Sequence, residues 1–120
     1  MFRTVSILTV IVCAVLFALL LLSPESYVGT YGVTDDAGAV FMVRRAAPMF
    51  LGFAVMLWFA RDAGQSRVRD ALCWGIAVAF TGVALTGMFE YMRGVANAVI
   101  LAAATGELLI AALFLRATKA

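Results

Sequence analysis

Four apolar stretches dominate the sequence, and each is long enough to cross a lipid bilayer as an α-helix. About 20 apolar residues are needed to span roughly 30 Å of hydrocarbon. The chain has 120 residues, of which 65% are hydrophobic and only 13% charged. In a soluble domain roughly a quarter of the residues are charged, and they cover its surface. We therefore expect an all-α integral membrane four-helix bundle, a single transmembrane domain over residues 1–120. The helices are predicted at about residues 4–22, 36–60, 71–89 and 95–116.

The first stretch also has the general form of a secretory signal, because Arg3 precedes a long apolar run. The run exceeds the usual apolar core of about 7 to 15 residues, and no Ala-x-Ala cleavage site follows it. We expect this stretch to be retained as a helix.

The segments between the first two stretches have recognisable local signals. Ser23-Pro24-Glu25 ends the first stretch, and residues 27–33, with two tyrosines and two glycines, predict an interfacial loop with aromatic anchors. Thr34-Asp35-Asp36 is typical of a helix start, because hydroxyl and carboxylate groups accept hydrogen bonds from the first free N–H groups and favour the positive end of the helix dipole.

Basic residues are distributed unequally between the two sides of the predicted membrane region. Arg44, Arg45 and Arg93 fall on one side, beside several carboxylates. Six basic residues fall on the other: Arg3, Arg61, Arg67, Arg69, Arg116 and Lys119. Cytoplasmic loops carry the excess of Lys and Arg, so both termini are predicted in the cytoplasm, with the chain a multi-pass protein of a bacterial inner membrane.

Glu107 is the one carboxylate predicted well inside a membrane span. It precedes Arg116 by nine residues, which is about 13 Å along a helix. An ionised carboxylate at that depth costs at least a few kcal/mol, so it must face the protein interior, be protonated or meet a partner. Two interpretations stay open: a proton-relay or ligand-binding acid, or a protonated or hydrogen-bonded glutamate that fixes helix packing.

Arg44 and Arg45 lie near the outer interface, roughly 24 Å from the cytoplasmic end of the second helix. They either extend toward lipid phosphates and nearby carboxylates, or clamp an anion or headgroup at the mouth of a cavity. Pro48 cannot donate a hydrogen bond to the carbonyl of Arg44, so a kink is expected there, and with it a pocket beside the two cations.

Small residues recur at helical spacing on the last two helices. Gly75, Ala79 and Gly82 share one face of the third helix, and Ala102 and Gly106 form a small-xxx-small pair on the fourth. Such faces let helix backbones approach closely in lipid, so we expect them to serve helix packing.

Several classes of function lack the residues that they need. The basic residues form no stripe that would follow a phosphate backbone, so no nucleic-acid partner is expected. The chain has no histidine, and no CxxC, Walker, GxGxxG or HExxH motif is present, so no metal or other cofactor is expected. Cys13 and Cys73 lie at different predicted depths and are not expected to pair.

Four short motifs follow one another along the chain: Ser23-Pro24, Tyr31-Gly32-Val33, Arg44-Arg45-Ala-Ala-Pro48-Met-Phe-Leu-Gly52 and Trp58-Phe-Ala-Arg61. In this order they resemble a family of small bacterial four-helix inner-membrane proteins of unknown function, which is related to the DoxX-like group. The resemblance covers nearly the whole chain. It implies a four-helix membrane fold and supplies no reaction. The DoxX-like name is associated with subunits of quinone-linked redox systems, but no catalytic residue is carried over.

We expect a non-enzymatic membrane protein that is either an accessory unit or a unit that binds a lipophilic ligand or a lipid. Its expected partners are membrane lipids, and it is expected to form a homo-oligomer or to belong to a larger membrane complex. The alternative is a proton-coupled transporter of a small solute that uses Glu107. A weaker possibility is a quinone or lipid whose polar head is held by Arg44 and Arg45. Enzymatic catalysis is not expected, because Arg45 and Glu107 differ in predicted depth by about 10 Å.

The orientation is tested with a reporter fused after Lys119. A fluorescent protein that matures only in the cytoplasm is expected to be bright there, because the side with six basic residues stays inside. A reporter at Lys119 that is active only outside the cytoplasm would overturn the predicted topology.

Overall fold

The computed structural model describes residues 1–119, and this range contains helices and their connections but no β-strand. The helices are α1 (Phe2–Leu22), α2 (Pro24–Thr30), α3 (Ala37–Ala60), α4 (Arg67–Met92) and α5 (Val99–Ala117). All of them except α2 are long and apolar enough to cross a membrane. The prediction of an all-helical chain with four membrane-length helices is confirmed, and these helices indicate a membrane protein.

The structure differs from the sequence prediction at three connections, one of which is the start of α4, at Arg67 and not at residue 71. Most of the segment predicted as an interfacial loop is helical, because α2 covers residues 24–30 and begins with a proline, which suits the first turn of a helix. The helix α4 continues to Met92, three residues beyond its predicted end at residue 89. The reversal follows at Gly94, whose φ of 78° is a left-handed conformation that favours glycine, and α5 begins at Val99.

Side-chain caps fix the starts of the two longest helices. The Asp36 carboxylate accepts a hydrogen bond of 2.8 Å from the Ala39 N–H, so the helix start predicted at residues 34–36 is confirmed. The Ser66 hydroxyl accepts a hydrogen bond of 3.2 Å from the Arg69 N–H and begins α4.

The membrane-length helices pack as two pairs. The helix α1 lies along α3, and α4 lies along α5. The two pairs meet through one buried apolar cluster, in which the rings of Phe2 and Phe114 are 6.3 Å apart and nearly perpendicular. Both cysteines belong to this cluster and are free. Other members include Leu57, Ile76, Phe80 and Ala111.

Arg69 joins three parts of the chain at the end of the molecule where α1 begins and α5 ends. Its side chain is only 8% exposed. One terminal nitrogen donates a hydrogen bond of 3.0 Å to the Ala117 carbonyl, and the other donates one of 3.3 Å to the Ala63 carbonyl. The guanidinium carbon lies 4.6 Å from the centre of the Phe2 ring, within cation–π distance. Arg69, which the sequence predicted only as a basic residue on the cytoplasmic side, therefore also connects α1, α5 and the segment before α4.

The predicted small-residue faces do not lie between helices within one copy of the chain. Gly75, Gly82, Ala102 and Gly106 are exposed, and no neighbouring atom lies within 4 Å of a Cβ placed on any of the three glycines. The face of α4 that packs is rotated from the predicted one, because it carries the larger Ile76 and Phe80 that fill the core. On this face a Cβ at Gly87 would come within 3.1 Å of Ile100.

The role of Arg69 is tested against its neighbour Arg67, which is exposed. We expect Arg69→Ala to lower the free energy of unfolding by about 2 to 4 kcal/mol, because the Ala63 and Ala117 carbonyls lose their partner in a buried setting. Arg67→Ala is expected to change it by about 0.5 kcal/mol or less. The measurement is detergent-induced unfolding followed by circular dichroism, and equal losses for the two variants would contradict the structural role.

Candidate ligand-binding site

Glu107 lines two adjoining cavities between the helix pairs. The first has a volume of about 390 Å³ and is lined by residues of all five helices. The second has a volume of about 320 Å³ and lies toward α3 and α4. Four side chains border both cavities: Phe50, Phe80, Val83 and Glu107. The glutamate that the sequence singled out is therefore the polar group at the boundary of two mainly apolar spaces.

The Glu107 carboxyl has no protein partner in the described part of the chain. It is partly buried, and no hydrogen bond or ion pair from residues 1–119 reaches it. The only side-chain hydrogen bond near it on α5 is that of Thr105, which donates to the carbonyl of Leu101 in the same helix. No hydrogen bond in residues 1–119 therefore ties Glu107 to a neighbouring helix, and its carboxyl is available to a ligand or a proton.

Two tyrosines supply the other polar groups of the first cavity. Tyr27 and Tyr31 both line it, with ring centres 5.2 Å apart and planes at 85°. Burial raises the pKa of Tyr27 above its ordinary value, and the nearby Tyr31 and the Glu107 carboxylate raise it further. Burial also raises the pKa of Tyr31. Both phenols therefore stay protonated at neutral pH and can donate hydrogen bonds beside Glu107.

The sequence predicts these tyrosines in an interfacial loop, and their place in the cavity was not predicted. Their spacing of four residues is the signal that was present, because residues four apart lie on one face of a helix. That signal acquires meaning only once residues 24–30 are known to be helical, and the sequence composition of that segment favoured a loop.

Asn97 holds the tyrosine segment against the start of α5. Its backbone N–H donates a hydrogen bond of 2.8 Å to the Tyr31 carbonyl, and its side-chain amide donates one of 3.2 Å to the Thr30 carbonyl. Its side-chain oxygen accepts one of 3.0 Å from the Val99 N–H. A Cβ at Gly32, where φ is 72°, would lie 3.1 Å from the Asn97 amide nitrogen, so this close contact requires glycine.

Arg44 and Arg45 lie apart from Glu107. They line a separate surface groove of about 640 Å³ with Pro48, and neither borders the two Glu107 cavities. The Arg44 guanidinium donates a hydrogen bond of 3.3 Å to the Leu21 carbonyl and lies 4.0 Å from a Glu25 oxygen. The Arg45 guanidinium lies 5.7 Å from the centre of the Phe41 ring. The helix α3 is continuous through Pro48.

The remaining predicted site residues divide between the cavities and the surface. Gly106 borders the first cavity and Ala79 the second. Gly75 and Ala102 border neither. In residues 1–119, no three His, Cys, Asp or Glu side chains come together as metal ligands would. The site can thus offer one carboxyl and two phenols within apolar walls.

Comparison with known proteins supplies no relative. No protein-family model, curated protein or solved structure matches this chain. The DoxX-like resemblance therefore stays a prediction from the sequence motifs.

Proposed function

We propose that this chain is a non-enzymatic four-helix bundle of a bacterial inner membrane, with both termini in the cytoplasm, that binds a lipophilic molecule between its two helix pairs. The observation that carries the proposal is the placement of Glu107 on the border of two apolar cavities, where no group in residues 1–119 bonds to its carboxyl. Tyr27 and Tyr31 add two hydrogen-bond donors on one side of the first cavity.

The size and lining of the cavities support a small organic ligand. Ligand pockets typically have volumes of about 300–1,000 Å³, with mostly apolar walls and a few polar groups that fix orientation. The first cavity has about 390 Å³, and nine of its twelve lining residues are neither tyrosine nor glutamate. Apolar walls contribute affinity, and the carboxyl and phenols select a ligand that carries a polar group.

The proposal is tested by filling the first cavity at Gly106. A side chain there meets no neighbouring atom within 4 Å of its Cβ, so Gly106→Phe is expected to occupy the cavity without disturbing the helices. We expect the variant to retain about one tenth or less of the copurified lipophilic molecule, since steric overlap costs on the order of 1 to 3 kcal/mol. Mass spectrometry of solvent extracts from purified protein measures the ratio of ligand to protein.

Gly75→Phe is the matched control. Gly75 also has open space around its Cβ, but it borders neither cavity, so this variant should retain the ligand. If Gly106→Phe and Gly75→Phe retain equal amounts of every extracted molecule, the binding proposal fails.

A second function, proton-coupled transport of a small solute, is supported by one observation. Glu107 borders both cavities, whose linings also share Phe50, Phe80 and Val83. A single titrating group in contact with two spaces can exchange a proton for a ligand in either of them.

The transport alternative is tested in proteoliposomes with ethidium as the solute. If it holds, a pH gradient drives ethidium uptake by the unsubstituted protein, and Glu107→Gln abolishes this uptake because the amide carries no titrating proton. Glu90→Gln is the control, since Glu90 pairs with Arg93 at 2.9 Å outside both cavities. Full pH-driven uptake by Glu107→Gln would exclude the transport function and leave ligand binding untouched.

A further inference from the structure

A third cavity lies at the end of the molecule where Arg69 joins the helices, and its lining is strongly basic. Its volume is about 290 Å³. Three arginines line it, Arg3, Arg61 and Arg69, and Asp62 is the only carboxylate among its lining residues. Three positive charges against one negative charge leave the lining with a net charge of +2.

The single carboxylate is shared by two of the three arginines. An Arg3 terminal nitrogen lies 3.1 Å from one Asp62 oxygen, and the Arg61 Nε lies 3.6 Å from the other. The guanidinium carbon of Arg61 also lies 3.9 Å from the centre of the Trp58 ring, which holds this side chain in place. The ion pairs thus orient both arginines but neutralise only one positive charge.

Arg69 forms the buried wall of this cavity and retains an unused donor. Its two terminal nitrogens bond to backbone carbonyls, while its buried Nε has no acceptor within residues 1–119. The Nε has almost no accessible surface, so Arg69 offers an anion in the cavity its positive charge and not this N–H.

We propose that this cavity is a binding site for a phosphate group. Guanidinium groups offer paired N–H donors that match two phosphate oxygens, which makes arginine the preferred side chain for phosphate recognition. The cavity lies at the first residues of α1 and the connection from α3 to α4, the level at which lipid headgroups begin. Basic pockets at the ends of membrane helices suit the phosphodiester of an anionic phospholipid, and a free phosphate offers the same chemistry.

The test measures lipid binding by native mass spectrometry of the full chain in a neutral detergent. The probes are dioleoylphosphatidylglycerol and, as the zwitterionic comparison without net charge, dioleoylphosphatidylcholine. We expect phosphatidylglycerol to bind more tightly, and Arg3→Gln and Arg61→Gln each to weaken it about fivefold, from about 1 kcal/mol for each basic residue at the headgroup. Arg67→Gln is the control, since Arg67 is exposed near this cavity but does not line it.

Asp62→Asn provides a variant with the opposite sign. It removes the competing carboxylate, so phosphatidylglycerol should bind more tightly by about the same fivefold factor. A loss of binding in this variant would contradict the proposal.

Inorganic phosphate distinguishes the two sources. A preference for phosphatidylglycerol that depends on Arg3 and Arg61 supports a lipid headgroup. If both lipids bind equally but phosphate raises the melting temperature of the unsubstituted protein and not of the two arginine variants, the site takes a free phosphate. If neither probe depends on Arg3 and Arg61, or Arg67→Gln weakens binding equally, the site does not exist. None of the substituted residues borders the Glu107 cavities, so the result of this test is independent of the proposed function.

Discussion

The buried guanidinium of Arg69 connects the start of α1, the segment between α3 and α4, and the end of α5. It touches Phe2 at the start of α1 and bonds to Ala117 at the end of α5, two residues that are far apart in the sequence. At the other end of α5, Asn97 bonds to the segment that carries Tyr31. The two helix pairs are thus joined near both ends of α5, at one end by the contact of Arg69 with Phe2 and at the other by the hydrogen bonds of Asn97, and the Glu107 cavities lie on the stretch between them. The contacts that hold the helices together also define the space available to a ligand.

This arrangement follows from the cost of polar groups in lipid. Hydrocarbon offers no hydrogen-bond partners, so polar contacts between helices are most readily made near helix ends, where free carbonyls and side chains can satisfy each other. Arg69 and Asn97 are both found in such places. Glu107 differs from them, because it is a carboxyl that lies within α5 and meets no protein partner in the described residues. This costly position is the reason for proposing that it meets a ligand or a proton.

The sequence was informative where a single residue type decides the outcome. Long apolar stretches predicted the four membrane-length helices, and Asp36 predicted a helix start that the Ala39 hydrogen bond confirms. It was less informative where geometry between segments decides. In the sequence Arg69 is one of six basic residues that predict the cytoplasmic side. Its burial depends on contacts with Phe2 and Ala117, which no local sequence pattern brings together. Small residues permit close packing without specifying its direction, so the predicted face of α4 differs from the face that packs.

The length of α5 narrows the kind of molecule that could reach Glu107. Its 19 residues correspond to about 28 Å, close to the roughly 30 Å thickness of the hydrocarbon layer. Glu107 is ten residues from Ala117, or about 15 Å, and therefore lies near the middle of that layer. A hydrated ion would have to lose its water to arrive there, whereas an amphiphilic molecule dissolved in the bilayer already resides at that depth. A lipophilic ligand with one polar group therefore fits both the position of the carboxyl and the apolar walls around it.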